Sequence, residues 1–351
     1  MIPKSVVGVE VEKKNNQKVV GIAVLFVGVT LACLVLSNSM PRSYVLSQIF
    51  AINSNGFAAK NKDPLDIVLE KASTKDKTVI ITNLNDAWAE PHSIFDVFLE
   101  SFRVGIDTKS LVKHLVVICL DEKAYNRCLA LHPHCYRFQI EGFNFTREAF
   151  FMTPDYLEIV WRKIDLLATV LEKGYNFVFT DNDIMWLRNP FPRFFPDADI
   201  QVSCDTFLGN STDLNNLANT GFSFVKSNNR TVQFYKFWYN SRKRFPRLHD
   251  QHVFDRIKYD PFITKDVGLQ MRFHDTDIFG GFCHASKDFN LVCTMHANCC
   301  VGVERKVHDL QIVLGDWRRY KSLEPSMQPN VSWSIPQNCL LNNIFKYMEP
   351  S

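Results

Sequence analysis

The sequence predicts an α/β protein with a layered, largely parallel sheet, and two observations lead to this prediction. Strand-like and helix-like segments alternate between residues 77 and 181, which is the order typical of such sheets. The composition is 46% hydrophobic and 22% charged, so the chain has enough apolar surface for a core and is not disordered. The net charge of only +3 provides no broad basic surface, so we expect no nucleic-acid partner.

The alternation begins with an apolar, β-branched run at 77–84, KTVIITNL. A helix is predicted at 93–105 from the spacing of its apolar residues, and a second strand at 114–121 from the run HLVVICLD. A longer helix at 153–174 begins with Thr-Pro and ends at a glycine, and it leads into a strand at 175–181. Ligands of such sheets bind beyond the carboxyl ends of the strands, so we expect the site there.

The N-terminal region contains one membrane-anchor candidate. Residues 19–36 carry no charge and are long enough to cross a bilayer core, and the lysines before them place the N-terminus in the cytoplasm. A cleaved signal peptide is the alternative, although its apolar region is usually shorter. We expect a single-pass type II membrane protein with a cytoplasmic tail (1–18), a transmembrane anchor (19–37), a stem (38–70), a folded domain (71–325) and a C-terminal tail (326–351).

Sequons and cysteines agree with a body in the secretory lumen. Sequons begin at Asn144, Asn210, Asn229 and Asn330. Most cysteines lie in polar contexts where oxidation is permitted, and Cys128/Cys135 and Cys283/Cys293 are candidate local disulfides, although spacing does not determine the pairing. The alternative is a structural zinc site, suggested by the spacing of Cys293, His296, Cys299 and Cys300.

Asp181 and Asp183 form the strongest chemical signal in the chain. They stand two residues apart at the polar end of the strand at 175–181. Two carboxylates this close repel each other unless a cation lies between them. Mg²⁺ and Mn²⁺ are usually bound by one or two carboxylates together with substrate phosphates. The pair therefore predicts a divalent-metal site.

Several sequence blocks occur in one order along residues 63–325: KDKTVIIT, LNDAWAEP, TDNDIMWLRNPFPRF, ANTGFSFV, HDQHVF and HANCCVGVERKVHDL. With these blocks the chain resembles the plant nucleotide-diphospho-sugar transferases of glycosyltransferase family 77, including uncharacterised plant members. The resemblance implies a glycosyltransferase-A fold, a Rossmann-like mixed sheet flanked by helices. It also implies a retaining type II Golgi enzyme that moves a sugar from a UDP-sugar donor to a cell-wall polysaccharide or glycoprotein acceptor.

The resemblance also implies roles for individual residues. Asp181 and Asp183 match the metal-binding Asp-x-Asp motif, with Asn182 between them, and His296 matches the third ligand, with His308 as its rival. Imidazole among the ligands favours Mn²⁺ over Mg²⁺.

Two further sets of residues are expected near the donor. Asp250 and Gln251 match an Asp-Gln element near the reacting sugar and are the catalytic candidates, although Asp250 could instead cap a helix that begins at Gln251. On helix 153–174 either Arg162 or Lys163 could reach a phosphate. The expected nucleotide-sugar-binding residues, which follow strands or lie in the matching blocks, are Thr82, Asn83, Lys163, Asn219, Gly221, Gly302 and Lys306.

Alternatives remain for the tryptophans and for the function. Trp161, Trp186 and Trp317 are expected in the core rather than as platforms for sugars. The alternative function is a catalytically silent Golgi member that acts as a scaffold in a transferase complex, as a homo- or hetero-oligomer. The presence of Asp183, His296 and Lys306 favours the enzyme.

Overall fold

The computed structural model describes residues 62–138, 152–328 and 331–339. The predicted cytoplasmic tail, the anchor and most of the stem lie outside these residues, as do the sequons at Asn144 and Asn330. Among the described helices, none combines the length and the apolar character that crossing a membrane requires.

The strands, in chain order, are β1 (Thr78–Leu84), β2 (Leu115–Cys119), β3 (Cys135–Arg137), β4 (Asn176–Thr180), β5 (Ile184–Trp186), β6 (Ile200–Thr206), β7 (Leu217–Val225), β8 (Met271–Phe273), β9 (Phe279–Gly281) and β10 (Thr294–His296). A seven-stranded sheet has the order β3-β2-β1-β4-β7-β6-β8. Its pairs are parallel except those of β7 with β4 and β6, so the predicted mixed, largely parallel sheet is confirmed.

The helices are α1 (Pro64–Ala72), α2 (Asp86–Ala89), α3 (Ile94–Val104), α4 (Glu122–Leu131), α5 (Pro154–Glu172), α6 (Asn229–Ser241), α7 (Asp250–Ile257) and α8 (Val303–Ser322). The predicted start of α5 is confirmed, because the Thr153 hydroxyl accepts a hydrogen bond from the Tyr156 N–H. The helix ends just before Gly174, whose φ of 82° suits glycine.

The sheet separates two apolar cores, and β1 contributes to both because successive side chains of a strand point to opposite faces. Val79 and Ile81 join a core that includes residues of α1, α5, α6 and α7. Ile80 and Leu84 join the other core, which includes residues of α3, α8 and a second, three-stranded sheet with the order β5-β10-β9. The three tryptophans predicted to be core residues are buried, which confirms that prediction: Trp161, Trp186 and Trp317.

The first helix, α1, lies partly within the range predicted as stem. Its side chains Leu65, Val68, Leu69 and Ala72 are buried in the core with α5. The folded body therefore begins before residue 71, the predicted start of the domain.

Three disulfides connect six of the described cysteines. The predicted pair Cys128–Cys135 is confirmed. The predicted pair Cys283/Cys293 is wrong, because Cys283 bonds to Cys299 while Cys293 is a buried free thiol just before β10. Cys300 bonds to Cys339, which ties the predicted C-terminal tail to the body. The zinc alternative is wrong as well, because the sulfurs of Cys299 and Cys300 are already bonded in two disulfides.

Candidate functional site

Asp181 and Asp183 follow β4 directly, and a second, smaller sheet brings His296 to them. β5 begins at Ile184, and β10 pairs antiparallel with it so that His296 lies opposite Ile184. The Ala297 N–H donates to the Asp183 carbonyl over 2.9 Å. One ligand atom from each of Asp181, Asp183 and His296 lies within 4.8 Å of the others. The structure thus brings together the three predicted metal ligands.

Lys306 lies beside these residues in the first turn of α8, and we call Asp181, Asp183, His296 and Lys306 the metal-binding group. Lys306 Nζ lies 2.5 Å from Asp183 Oδ2, and His296 Nε2 lies 3.2 Å from Asp183 Oδ1. The His296 contact does not have hydrogen-bond geometry, so Oδ1 accepts no hydrogen bond from the described residues although it is buried. A buried carboxylate oxygen without a donor is costly, and a cation would satisfy it.

The pKa values of the two carboxyl groups are shifted in opposite directions. Burial raises the pKa of Asp181 to about 6, opposed by Lys163 and assisted by Asp183. Burial also raises the pKa of Asp183, but Lys306 and His296 outweigh it and hold that pKa well below the usual range. A divalent cation would favour ionisation of both carboxylates. Two carboxylates and one imidazole are a donor set that fits such a cation.

Gly221, on β7, lies directly behind the metal-binding group. A Cβ at this position would stand 2.6 Å from Asp181 Oδ2 and 2.7 Å from His296 Cε1. Its carbonyl accepts the Asp181 N–H over 2.8 Å. Any side chain here would displace two of the three ligands.

Asn182 explains the positions of Thr82 and Asn83. Its side-chain oxygen accepts a hydrogen bond from the Thr82 hydroxyl over 2.9 Å, and its amide donates to the Asn83 carbonyl. Thr82 is fully buried and does not line the cavity, while its role in binding a nucleotide sugar stays a prediction. Asn83 does line the cavity.

The metal-binding group lies in the wall of a cavity of about 760 Å³. This volume lies within the range of small-molecule sites. The predicted residues Asn83, Lys163, Gly302, Asp250 and Gln251 line the same cavity.

Asp250 is the first residue of α7 and carries a buried ion pair instead of a cap. Lys163 Nζ, from α5, lies 2.7 Å from Asp250 Oδ2, and both side chains are less than a tenth exposed. Burial raises the pKa of Asp250, but Lys163 and His249 hold it well below the usual range. The capping alternative is wrong, because α7 is preceded by His249 and includes Asp250. Arg162 pairs instead with Glu158, which leaves Lys163 as the residue of the two that reaches the cavity.

The segment after β10 holds the remaining predicted residues. Gly302 has a φ of 97° and immediately precedes α8, which carries Lys306. His308 is half exposed and contacts Asp309 over 2.8 Å. His296, rather than its rival His308, therefore lies beside the aspartates.

Asp205, at the end of β6, lines the cavity and was missed from the sequence. It accepts hydrogen bonds from Asn219 and Gln251, two predicted site residues. The available signal was its place at the polar end of an apolar strand, as for Asp181.

The chain is similar to known proteins in sequence and in structure. The family described as nucleotide-diphospho-sugar transferase matches residues 110–310. An uncharacterised protein of Arabidopsis thaliana is 50% identical over 275 residues, which is 78% of this chain and 72% of that protein. The UDP-galactose:fucoside alpha-3-galactosyltransferase of Dictyostelium discoideum is 36% identical over 76 residues, 20% of this chain and 11% of that protein. The galactosyltransferase LgtC has a TM-score of 0.42 and 10% identity, over 72% of this chain and 99% of that one.

Proposed function

This chain belongs to the nucleotide-diphospho-sugar transferase family and is a nucleotide-sugar transferase, and on this premise we propose a more specific activity. The protein is a retaining glycosyltransferase of the glycosyltransferase-A type that moves a sugar from a UDP-sugar to a cell-wall polysaccharide or glycoprotein. Its divalent cation is Mn²⁺, held by Asp181, Asp183 and His296. The convergence of these residues and Lys306 in one cavity wall is the observation that carries the proposal.

The chemistry of the donor explains these residues. The bond between sugar and UDP breaks with negative charge developing on the diphosphate, and a bound divalent cation supplies Lewis-acid stabilisation there. Lys306 contributes a fixed positive charge beside Asp183, in the position where it can act on the same phosphates. The name of the Dictyostelium relative supports UDP as the nucleotide.

Asp250 and Gln251 serve the sugar in this proposal. Both side chains are held in place. Asp250 is paired with Lys163, and the Gln251 side-chain oxygen accepts the Thr220 N–H over 3.2 Å. An ionised Asp250 can accept hydrogen bonds from sugar hydroxyls or stabilise the cationic character of the sugar as the bond breaks. We assign it no nucleophilic role.

The proposed location is the Golgi lumen, behind a single membrane anchor at 19–37. Three disulfides among the described residues support an oxidising compartment. The uncharged run at 19–36 supports the anchor.

The test is release of UDP from a panel of UDP-sugars by the full chain, produced in a eukaryotic secretory pathway. We expect release with at least one donor in the presence of Mn²⁺, and its loss when the metal is chelated. Release that is equal with and without metal would contradict the role of the metal-binding group. If no donor releases UDP, with or without added acceptor mixtures, the proposed transferase activity is contradicted.

A further inference from the structure

Asp205 gathers three carboxamide side chains from three other parts of the chain. Asn219 of β7 and Asn298, which follows β10, donate to Asp205 Oδ1, each over 2.7 Å. Gln251 of α7 donates to Asp205 Oδ2 over 3.0 Å. We call Asp205 and these three residues the carboxamide cluster.

The oxygen of each carboxamide is also held. The Asn219 oxygen accepts the Gly221 N–H over 3.0 Å, and the Gln251 oxygen accepts the Thr220 N–H over 3.2 Å. The Asn298 oxygen accepts the Cys283 N–H over 3.1 Å. Because an ionised carboxylate only accepts and a backbone N–H only donates, each amide has a single orientation that satisfies both partners. The negative charge of Asp205 therefore sets the orientation of all three amides.

The cluster adjoins the metal-binding group and faces the same space. All four of its side chains line the cavity that contains Asp181 and Asp183. Asn219 is connected to the group through Gly221, where an added Cβ would lie 2.6 Å from Asp181 Oδ2 and 2.7 Å from His296 Cε1. An amide NH₂ that gives one hydrogen to Asp205 retains a second, and such hydrogens suit the hydroxyl oxygens of a sugar.

We propose that Asp205 is a positioning residue for the sugar part of the donor. It orients the three carboxamides toward the sugar hydroxyls and has no contact with the diphosphate. This inference rests on the proposed function. It assigns binding of the sugar to the carboxamide cluster and binding of the diphosphate to the metal-binding group.

Asp205→Asn removes the charge with almost no change of shape. The new amide has one acceptor and one NH₂, so its NH₂ must face the NH₂ of at least one cluster amide. The arrangement with the fewest conflicts keeps Asn219 and Asn298 and releases Gln251. We expect the affinity for an intact UDP-sugar to fall about 30-fold, the effect of one or two unmatched hydrogen bonds. The affinity for UDP with Mn²⁺ should stay within about twofold, because metal and diphosphate contacts are unchanged.

A second variant exchanges the partners. In Asp205→Asn with Gln251→Glu, the new amide donates to the new carboxylate, which still accepts the Thr220 N–H. The net charge of the pair is also restored. We expect this double variant to bind the intact donor more tightly than the sum of the two single effects predicts.

The matched control is Asp197→Asn, which changes an exposed aspartate just before the other end of β6. Calorimetry would compare UDP and the intact UDP-sugar identified by the panel for each variant. Normal donor affinity in Asp205→Asn would overturn the inference, and so would a parallel loss of UDP affinity, since that indicates a general structural role. Additive effects in the double variant would also overturn it.

The two proposals fail in distinguishable ways. If the wild type and Asp197→Asn turn over a UDP-sugar and Asp205→Asn matches them in affinity and rate, the inference fails while the function stands. If the wild type neither binds nor hydrolyses any UDP-sugar, the proposed function fails and the inference falls with it.

Discussion

The metal-binding group is assembled from two halves that are held in different ways. Asp181 and Asp183 follow β4, a strand paired with β1 on one side and β7 on the other, inside the seven-stranded sheet. His296 ends the three-residue strand β10 and Lys306 lies in the first turn of α8, and between them Cys299 and Cys300 each form a disulfide. We call these the sheet-held half and the disulfide-held half.

The difference shows what a short segment needs in order to hold a ligand in place. A central strand is fixed by hydrogen bonds along both edges, so its end needs no further support. The strands β5, β9 and β10 each have three residues and offer few such bonds. Adjacent Cys299 and Cys300 bind the segment to Cys283 and to Cys339, which replaces a sheet with covalent connections. The disulfide-held half should therefore depend on oxidation, whereas the sheet-held half should not.

The largest effect is expected from the sheet-held half, in Asp181→Asn. Because burial and Asp183 disfavour the charge of Asp181, its loss should leave the free energy of unfolding unchanged or slightly increased. Loss of one metal ligand should weaken Mn²⁺-dependent UDP binding by about 100-fold or more. Calorimetric titration with UDP and Mn²⁺, together with thermal unfolding of the metal-free protein, measures both quantities.

Asp183→Asn is the informative contrast to Asp181→Asn. It should weaken Mn²⁺-dependent UDP binding to a similar extent, but it leaves Lys306 without its carboxylate and should destabilise the protein. If Asp181→Asn binds UDP and Mn²⁺ as tightly as the wild type, the metal-binding group is misassigned.

An intermediate effect is expected from the disulfide-held half. Replacing Cys300 and Cys339 together by serine removes a cross-link between residues 39 apart in sequence and should cost about 2–4 kcal/mol in unfolding free energy. Displacement of His296 and Lys306 should weaken UDP binding about tenfold.

The matched control replaces Cys128 and Cys135 by serine, because this disulfide does not line the cavity. We expect it to lower stability without changing the affinity for UDP. Equal losses of affinity in the two double variants would show that the disulfide near the site has no special part in holding the ligands.

The smallest effect concerns His274, which packs against β9, the strand that pairs with β10. Its ring stacks on Phe279 of β9 at 4.0 Å, and burial lowers its pKa to about 3. The unfolded chain has the ordinary pKa of about 6.5, so it takes up a proton first as the pH falls. The contribution of neutral His274 to the free energy of unfolding is therefore complete above about pH 6.5 and decreases progressively toward pH 3.

His274→Phe keeps the ring stacking and removes the proton uptake. Between pH 7.5 and pH 5 we expect the variant to lose about 2 kcal/mol less unfolding free energy than the wild type. Urea unfolding at the two pH values measures this difference, and His284→Phe, at an exposed position, is the control. An unchanged pH dependence would mean that other groups govern the acid sensitivity.

The same contrast explains how much the sequence could predict. The strand ends carrying Asn83 and Asp181 were found because alternation and strand length are local properties. The start and end of α5 were found because capping depends on a few adjacent residues. The sheet-held half was therefore predictable from residues close together in the chain.

Contacts between distant segments could not be found in this way. The partner of Cys283 depends on a turn that brings Cys299 back to it, and nearer Cys293 is buried instead. Asp205 looks like a single polar residue after a strand until three separate segments converge on it. Thr82 follows the pattern of a ligand-binding strand end, yet Asn182 already occupies its hydroxyl. The shape of the tertiary fold, rather than any local pattern, decides these cases.

A single substitution of Gly221 would disturb the metal-binding group. Gly221 need not touch a substrate, yet even the methyl group of alanine would collide with Asp181 and His296. A duplicated gene could accumulate many surface substitutions while its product stays active. One nucleotide change that replaces this glycine would be enough to displace two metal ligands. The residue at this position therefore offers a direct way to sort the genes of the family into those that retain the metal-binding group and those that have rebuilt or lost it.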